Sequence, residues 1–75
     1  MSRVSVPKAV LDGLEAVRRS GLTNMLDRPV VARLAKEFGF DEAAQWTEAH
    51  RKEFSEGIFR GFEMEEATRR THDGR

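Results

Sequence analysis

The chain has 75 residues, of which 39% are hydrophobic and 35% charged, and it contains no cysteine. This length allows one small domain and makes an enzymatic cleft hard to build, while the lack of cysteine excludes disulfides, a thiolate nucleophile and cysteine-bound zinc. Thirteen basic and thirteen acidic residues cancel, so the overall basic field typical of nucleic-acid binding is absent.

The charges are unevenly distributed. Residues 1–40 carry a net charge of +3, residues 41–66 a net charge of −5, and residues 67–75 a net charge of +2. This pattern is compatible with complementary halves packed in one monomer and with electrostatic association with a partner or second copy. No apolar run exceeds three residues, so neither a membrane span nor a signal-peptide core is expected, and we predict a cytoplasmic protein.

The first predicted element is an amphipathic helix over residues 9–19, with Pro7 in its first turn. Its apolar stripe consists of Val10, Leu14 and Val17, with Leu11 beside it. Gly21 is expected to end this helix in the left-handed conformation, next to the favourably placed Arg18 and Arg19. Gly13 weakens the helix, so we expect another backbone to pass close to it.

After a connector at residues 22–27, a second helix is predicted, with Asp27 as its N-cap and Pro29 in its first turn. Apolar residues recur there at helical spacing: Val31, Leu34, Ala35 and Phe38. Gly39 is predicted to end this helix.

A third helix is predicted from residue 42 to about residue 49, with Phe40 pointing into the core and Asp41 as the N-cap. Its inner side is expected to hold Ala43, Trp46 and His50. A fourth helix, with Phe54, Ile58 and Phe62 on one stripe, is predicted to run to about residue 66. Whether helices three and four are continuous is left open.

These patterns predict an all-α fold, a compact bundle of three to four short helices forming a single domain over residues 1–75. The ordered core is expected over about residues 6–66, with residues 1–6 and the tail 67–75 mobile. No alternating strand pattern is present.

The two histidines, His50 and His72, are the first candidates for catalysis or metal binding. His50 and Glu53 have the spacing of two metal ligands on adjacent turns, but no third ligand is apparent, and His72 lies in the tail. Ser5, Ser20 and Ser55 have no context that would activate a nucleophile. We therefore predict no catalytic residue, no metal site and no cofactor, and a protein that is not an enzyme.

A helix-turn-helix motif is suggested by five residues, Leu34, Ala35, Phe38, Gly39 and Phe40. Gln45 and Glu48 stand where the recognition helix needs apolar residues, and Asp41 and Glu42 would repel phosphates. A structural helical hairpin is the preferred interpretation.

Phe59 lies one residue off the apolar stripe of the fourth helix, whereas Trp46, Phe54 and Phe62 are predicted to be core residues. We therefore predict an interface formed by Phe59 with Gly57 and Gly61, two glycines one turn apart in that helix. The facing element is helix one at Gly13 or, as we favour, a second copy in a homodimer.

The sequence AVRRSGLTNMLD of residues 16–27 resembles the R-x-x-G-x-T-N-M-x-D signature of a family of small phage and prophage proteins of unknown function. Residues 38–40, 51–54 and 58–62 resemble later landmarks of that family, and Leu26 stands where phenylalanine is common. This resemblance implies an accessory protein inside a bacterial cell, and it implies no activity.

We therefore expect a non-enzymatic protein that acts by binding, as an inhibitor of a host or anti-phage defence factor. One alternative is an oligomer that sequesters a nucleotide-like anion through Arg18, Arg19, Thr23 and Asn24. Together with Phe59, these four residues are the predicted binding residues. The other alternative is the helix-turn-helix DNA-binding protein.

Overall fold

The first helix, α1 (Lys8–Ser20), follows Pro7 and buries Val10, Leu14 and Val17, as predicted. It ends at Gly21, which takes the left-handed conformation with φ 68° and donates its backbone N–H to Arg18. The computed structural model in which these features are observed describes residues 3–65.

Gly13 is the point where α1 and the third helix come closest. It is buried, and a β-carbon at this position would overlap those of Phe40 and Ala43. The predicted close approach to Gly13 is therefore present, but it is made by the side chains of Phe40 and Ala43 and not by backbone atoms. Without a side chain at Gly13, the third helix can lie directly on α1.

The second helix, α2 (Arg28–Glu37), buries one face made of four residues, Val31, Ala32, Leu34 and Ala35. Phe38 was predicted on this face but terminates the helix and is 39% exposed. Gly39 then turns the chain with φ 93°, as expected for the residue after a helix end. Asp27 precedes the helix, yet its side chain makes no capping hydrogen bond, which corrects the predicted N-cap contact.

The third helix, α3 (Asp41–Ala49), begins one residue earlier than predicted. Phe40 occupies the N-cap position, so Asp41 is the first helical residue and not the cap. Its carboxylate still lies in the first turn, where negative charge stabilises the helix. Phe40 is half-buried and packs against the core, as expected.

The fourth helix, α4 (Arg51–Arg60), is separate from α3. His50, with φ −122° and ψ 61°, ends α3 and precedes α4, so the two helices are not one continuous rod. The side chain of His50 was predicted to face inward, but it is exposed and stacks on the Trp46 ring at 5.0 Å between centroids. Trp46 itself is half-buried.

Two short strands, which the sequence pattern does not predict, form a parallel pair. Strand β1 (Val4–Val6) precedes α1, and strand β2 (Phe62–Met64) follows α4, with Val4 opposite Phe62 and Val6 opposite Met64. The prediction of a mobile segment at residues 1–6 was therefore wrong for β1, and α4 ends at Arg60 rather than near residue 66. Gly61, with φ 98°, makes the turn between helix and strand.

The hydrophobic core combines residues of all four helices with Val6 of β1. Phe54 is its largest fully buried side chain and attaches α4 to the rest of the molecule. The prediction of a compact, mostly α-helical bundle of short helices is thus confirmed. The predicted mobile tail at residues 67–75 lies outside the described residues.

Thr47 is fully buried in α3, and its hydroxyl has no hydrogen-bond partner among residues 3–65. Replacing Thr47 by valine removes this hydroxyl at nearly constant shape, so we expect the free energy of unfolding to rise by about 1 kcal/mol. In thermal denaturation this corresponds to an increase of about 4–8 °C in Tm.

Replacing Thr47 by serine is the matched control, because it keeps the hydroxyl and removes the methyl group. This variant should be less stable than the wild type. A valine variant that unfolds at a lower temperature than the wild type would contradict the interpretation.

Candidate functional site

An apolar cleft of 250 Å³ lies between α1 and α4. Its apolar lining comes from three parts of the chain and comprises Leu11, Leu14, Met25, Ile58 and Phe62. Glu15 and Arg18 are the charged residues of the lining, and their side chains form an ion pair at its rim. Two of the four segments that resemble the family, residues 16–27 and 58–62, contribute to this cleft.

The end of α4 is positioned by packing of Gly57 beneath the ring of Phe62. A β-carbon at Gly57 would overlap this ring, so glycine allows the start of β2 to fold back over α4. Phe62 also approaches the rings of Phe54 and Trp46, with centroid distances of 6.2 and 6.0 Å. Phe62 is half-buried and joins the core from the edge, which agrees in part with its predicted core position.

The predicted interface of two glycines on one helical face is wrong. Gly57 is covered by Phe62 from the same chain, and Gly61 lies past the end of α4, where its nearest neighbour is the Arg3 side chain. Both glycines line the α1–α4 cleft.

Phe59 occupies the position predicted for an interface residue. It lies on α4 next to Ile58, and its side chain is 80% exposed, the highest value among the large hydrophobic residues of the described chain. Because an exposed phenylalanine leaves apolar area in water, this position favours contact with another molecule.

The connector between α1 and α2, residues 21–27, is fixed by local hydrogen bonds. The side-chain oxygen of Asn24 accepts from the backbone N–H of Leu26 at 2.8 Å, and the backbone of Asn24 accepts from Asp27 at 2.9 Å. The hydroxyl of Ser20 donates to Val17 and accepts from Leu22. Such side-chain bonds define the turn and position its side chains.

This turn exposes two leucines, which the sequence reading did not single out. Leu22 is 65% exposed and Leu26 is 61% exposed, whereas Met25 between them is half-buried in the cleft. One feature of the sequence could have indicated them: Leu22 and Leu26 are large apolar residues in a segment that has no helical or strand period. We call Leu22 and Leu26 the connector leucines.

The four residues proposed for anion binding lie near the end of α1, in surroundings that disfavour an anion. Arg18 pairs with Glu15, and Arg19 lies 3.9 Å from the same carboxylate. The Asn24 side chain already bonds the turn, and Thr23 makes only a weak 3.5 Å contact with a neighbouring carbonyl. A carboxylate and the negative end of a helix dipole both oppose an anion at this position.

Among residues 3–65, no group of three or more His, Asp or Glu side chains is arranged to hold a metal ion. His50 stacks on Trp46 and its Nδ1 lies 3.1 Å from the Trp46 carbonyl, while the predicted second ligand, Glu53, is exposed. His72 lies outside the described residues. The part of the chain that the structure covers has no helix that is long and apolar enough to span a membrane.

The α2–α3 hairpin has the packing that suggested a helix-turn-helix motif, with Leu34 and Ala35 buried. The outer surface of α3 begins with Asp41 and Glu42 and also carries Glu48, which bonds to Arg28 at 2.9 Å. If the hairpin docked on DNA as a helix-turn-helix does, this acidic helix would face the phosphates. Charge repulsion therefore disfavours DNA binding through α3.

A family model described as a domain of unknown function (DUF5049) matches residues 8–62, and no curated protein or solved structure matches the chain. The matched segment runs from the start of α1 to Phe62 at the start of β2. It includes the connector leucines, Phe59 and every residue that lines the cleft. Since this segment covers well over half of the 75 residues, the chain belongs to the DUF5049 family.

Proposed function

We propose that this protein is a non-enzymatic binding protein that contacts its partner through the connector leucines. The observation that carries the proposal is that Leu22 and Leu26 are more than 60% exposed on a turn fixed by hydrogen bonds. Burial of each leucine against a partner would contribute about 1–2 kcal/mol to binding, because the apolar area leaves water.

The rigidity of the connector supports this proposal. A flexible loop loses conformational entropy when it is ordered on a partner, and this loss weakens binding. Here the Asn24 side chain, the Ser20 hydroxyl and the left-handed Gly21 fix the backbone on both sides of Leu22 and before Leu26. The leucines therefore need little further ordering when a partner binds.

The family resemblance suggests the cellular setting. A small phage or prophage protein without catalytic residues commonly acts by covering a surface of a host protein, which is an argument by analogy. We therefore propose a host or anti-phage defence protein of the bacterial cytoplasm as the partner, and inhibition by surface occupation as the mode of action.

The proposal is tested by quantitative affinity capture from a bacterial host lysate with three forms of the protein. These are the wild type, a double variant with Leu22→Ser and Leu26→Ser, and a control with Phe38→Ser. Phe38 is also an exposed apolar residue, and it lies at the far end of the ten-residue helix α2, about 15 Å from the connector.

We expect the wild type and the control to capture the same protein, and the double variant to lose it while its circular dichroism spectrum stays helical. Removing two apolar contacts of about 1–2 kcal/mol each corresponds to at least a tenfold loss of affinity. Equal capture by the double variant, or no specific capture by the wild type, would overturn the proposal.

A further inference from the structure

A second pocket, with a volume of 270 Å³, lies between the start of α1 and α3, apart from the α1–α4 cleft. Pro7 and Val10 line it on the α1 side, and Glu42 and Trp46 line it on the α3 side. We call it the Trp46 pocket. Its lining, among residues 3–65, contains one carboxylate and no lysine or arginine. The Trp46 pocket therefore combines an indole ring with a negative charge.

The two groups lie on the same face of α3. Glu42 precedes Trp46 by four residues, so their side chains are neighbours one helical turn apart. Trp46 is half-buried, whereas Glu42 is exposed and forms no ion pair within the described part of the chain.

Arginine is the side chain that satisfies both groups at once. Its planar guanidinium group stacks on an aromatic ring and donates hydrogen bonds to a carboxylate. The volume is sufficient, because an apolar protein cavity of about 150 Å³ holds benzene, which has more heavy atoms than a guanidinium group.

We propose that the Trp46 pocket binds the side chain of Arg69 or Arg70 from residues 66–75 of the same chain, stacked on Trp46 and paired with Glu42. The proposal departs from the mobile tail that the sequence pattern predicts. It does not involve the connector leucines, so it goes beyond the proposed function and is tested independently of it.

The path of the chain leads to this pocket. In β2, the ring of Phe62 lies 6.0 Å from that of Trp46, between centroids. At the end of the described chain, the backbone N–H of Glu65 donates to the carbonyl of Val6 at 2.9 Å, and the residue after Val6 is Pro7 of the pocket lining. Arg69 follows Glu65 by four residues, which span about 13 Å when extended. Both arginines are therefore within reach of the pocket.

The charges of the two parts are complementary. Residues 67–75 carry three arginines and one aspartate, a net charge of +2, whereas residues 41–66 carry a net charge of −5. Lys8, beside Pro7, is already paired with Asp12 at 2.9 Å. Arg51 and Lys52 follow His50 in the sequence but do not line the pocket. Glu42 thus remains available to a cation that enters it.

Covalent attachment favours this segment over a separate partner as the occupant. One guanidinium group on one ring is a weak contact, which would not hold a free peptide at ordinary concentrations. A segment attached four residues away is present at the pocket at high local concentration, so the same contact is then sufficient.

The fluorescence of Trp46 tests the proposal, because the chain has one tryptophan and no tyrosine. We compare quenching by acrylamide, a neutral molecule, in the full-length wild type and in the double variant Arg69→Gln with Arg70→Gln. The quenching constant should rise about twofold in the variant, since the guanidinium group no longer covers the ring. Circular dichroism checks that both proteins are folded.

The matched control is the double variant Arg19→Gln with Arg33→Gln. It removes the same two charges at exposed side chains that do not line the Trp46 pocket. Its quenching constant should equal that of the wild type.

A double-mutant cycle tests the role of Glu42. Glu42→Gln alone should also raise the quenching constant, because the arginine loses its carboxylate partner. Added to the double arginine variant, it should cause little further rise, since the contact is already lost. Independent, additive effects on quenching would contradict the proposed pairing.

NMR of the dilute wild type locates the contact directly. Nuclear Overhauser effects should connect the indole protons of Trp46 with the side-chain methylene protons of Arg69 or Arg70. Their absence would overturn the proposal, and so would equal quenching in the wild type and the double arginine variant. Protection of Trp46 that appears only as the protein concentration rises would assign the arginine to a second copy, and would overturn docking within one chain.

Discussion

Replacing Phe54 by alanine is expected to lower the free energy of unfolding by about 3–5 kcal/mol. The ring is 2% exposed and is the largest fully buried side chain of the core. It is also, with Gly57, one of the two residues that α4 buries, so its loss leaves a cavity where α4 joins the bundle. A domain of this size has a total stability of about 4–11 kcal/mol, so this loss removes a large part of it.

Urea denaturation followed by circular dichroism checks this expectation, with Phe59→Ala as the matched control. Both variants lose a phenyl ring from α4, but Phe59 is exposed. At protein concentrations low enough for the chain to be monomeric, the control should stay within about 0.5 kcal/mol of the wild type. Similar denaturation midpoints for the two variants would show that Phe54 is not the residue that holds α4.

The second large effect is expected for Gly13→Ala. In a solvent-exposed helix, replacing glycine by alanine stabilises the helix by about 1 kcal/mol. Here the new methyl group would overlap the β-carbons of Phe40 and Ala43. Because β-carbons move only with their backbone, α3 must shift away from α1. We expect a net loss of about 1–3 kcal/mol in the free energy of unfolding.

A double-mutant cycle isolates this contact. Ala43→Gly removes the methyl group that faces Gly13, so combining it with Gly13→Ala should destabilise less than the two single changes added together. The measurement is again urea denaturation of the four proteins. Additive effects, or a Gly13→Ala protein as stable as the wild type, would be inconsistent with close packing of α1 on α3.

The helices could be predicted because each buries one stripe against a common core. In α1, the spacing of Val10, Leu14 and Val17 and the terminal Gly21 all favour the same structure, and all are found as predicted. Local preference and tertiary packing agree in this helix, which is the condition under which a sequence pattern is most informative.

The end of α4 could not be predicted in this way. Phe62 continues the spacing of Phe54 and Ile58, so the periodicity favoured a longer helix through Gly61. The chain instead leaves the helix at Gly61, and the Phe62 ring returns over Gly57 to reach the core from β2. A three-residue strand is too short to show an alternating pattern, and its partner lies at the other end of the chain.

The candidate site was predictable only in part. The exposure of Phe59 follows from its place beside the helical stripe, and the structure agrees. The cleft depends on the angle between α1 and α4 and on where β2 begins, neither of which is encoded in local spacing. The connector leucines could not be predicted, because a turn has no helical or strand period from which the exposure of an apolar residue follows.

The parallel pairing of β1 with β2 has a consequence for the order in which the molecule folds. Ser5 and Glu63, which face each other in this pair, are 58 residues apart in the chain. Closing a loop of this length in an unfolded chain costs about 3–4 kcal/mol of entropy, and the few hydrogen bonds of two three-residue strands, each with a net value of about 1 kcal/mol, barely offset it. The strands can therefore pair only after α1, α2 and α3 have packed and shortened the distance between them. We therefore expect the docking of α4 and the closing of the sheet to be the final steps of folding.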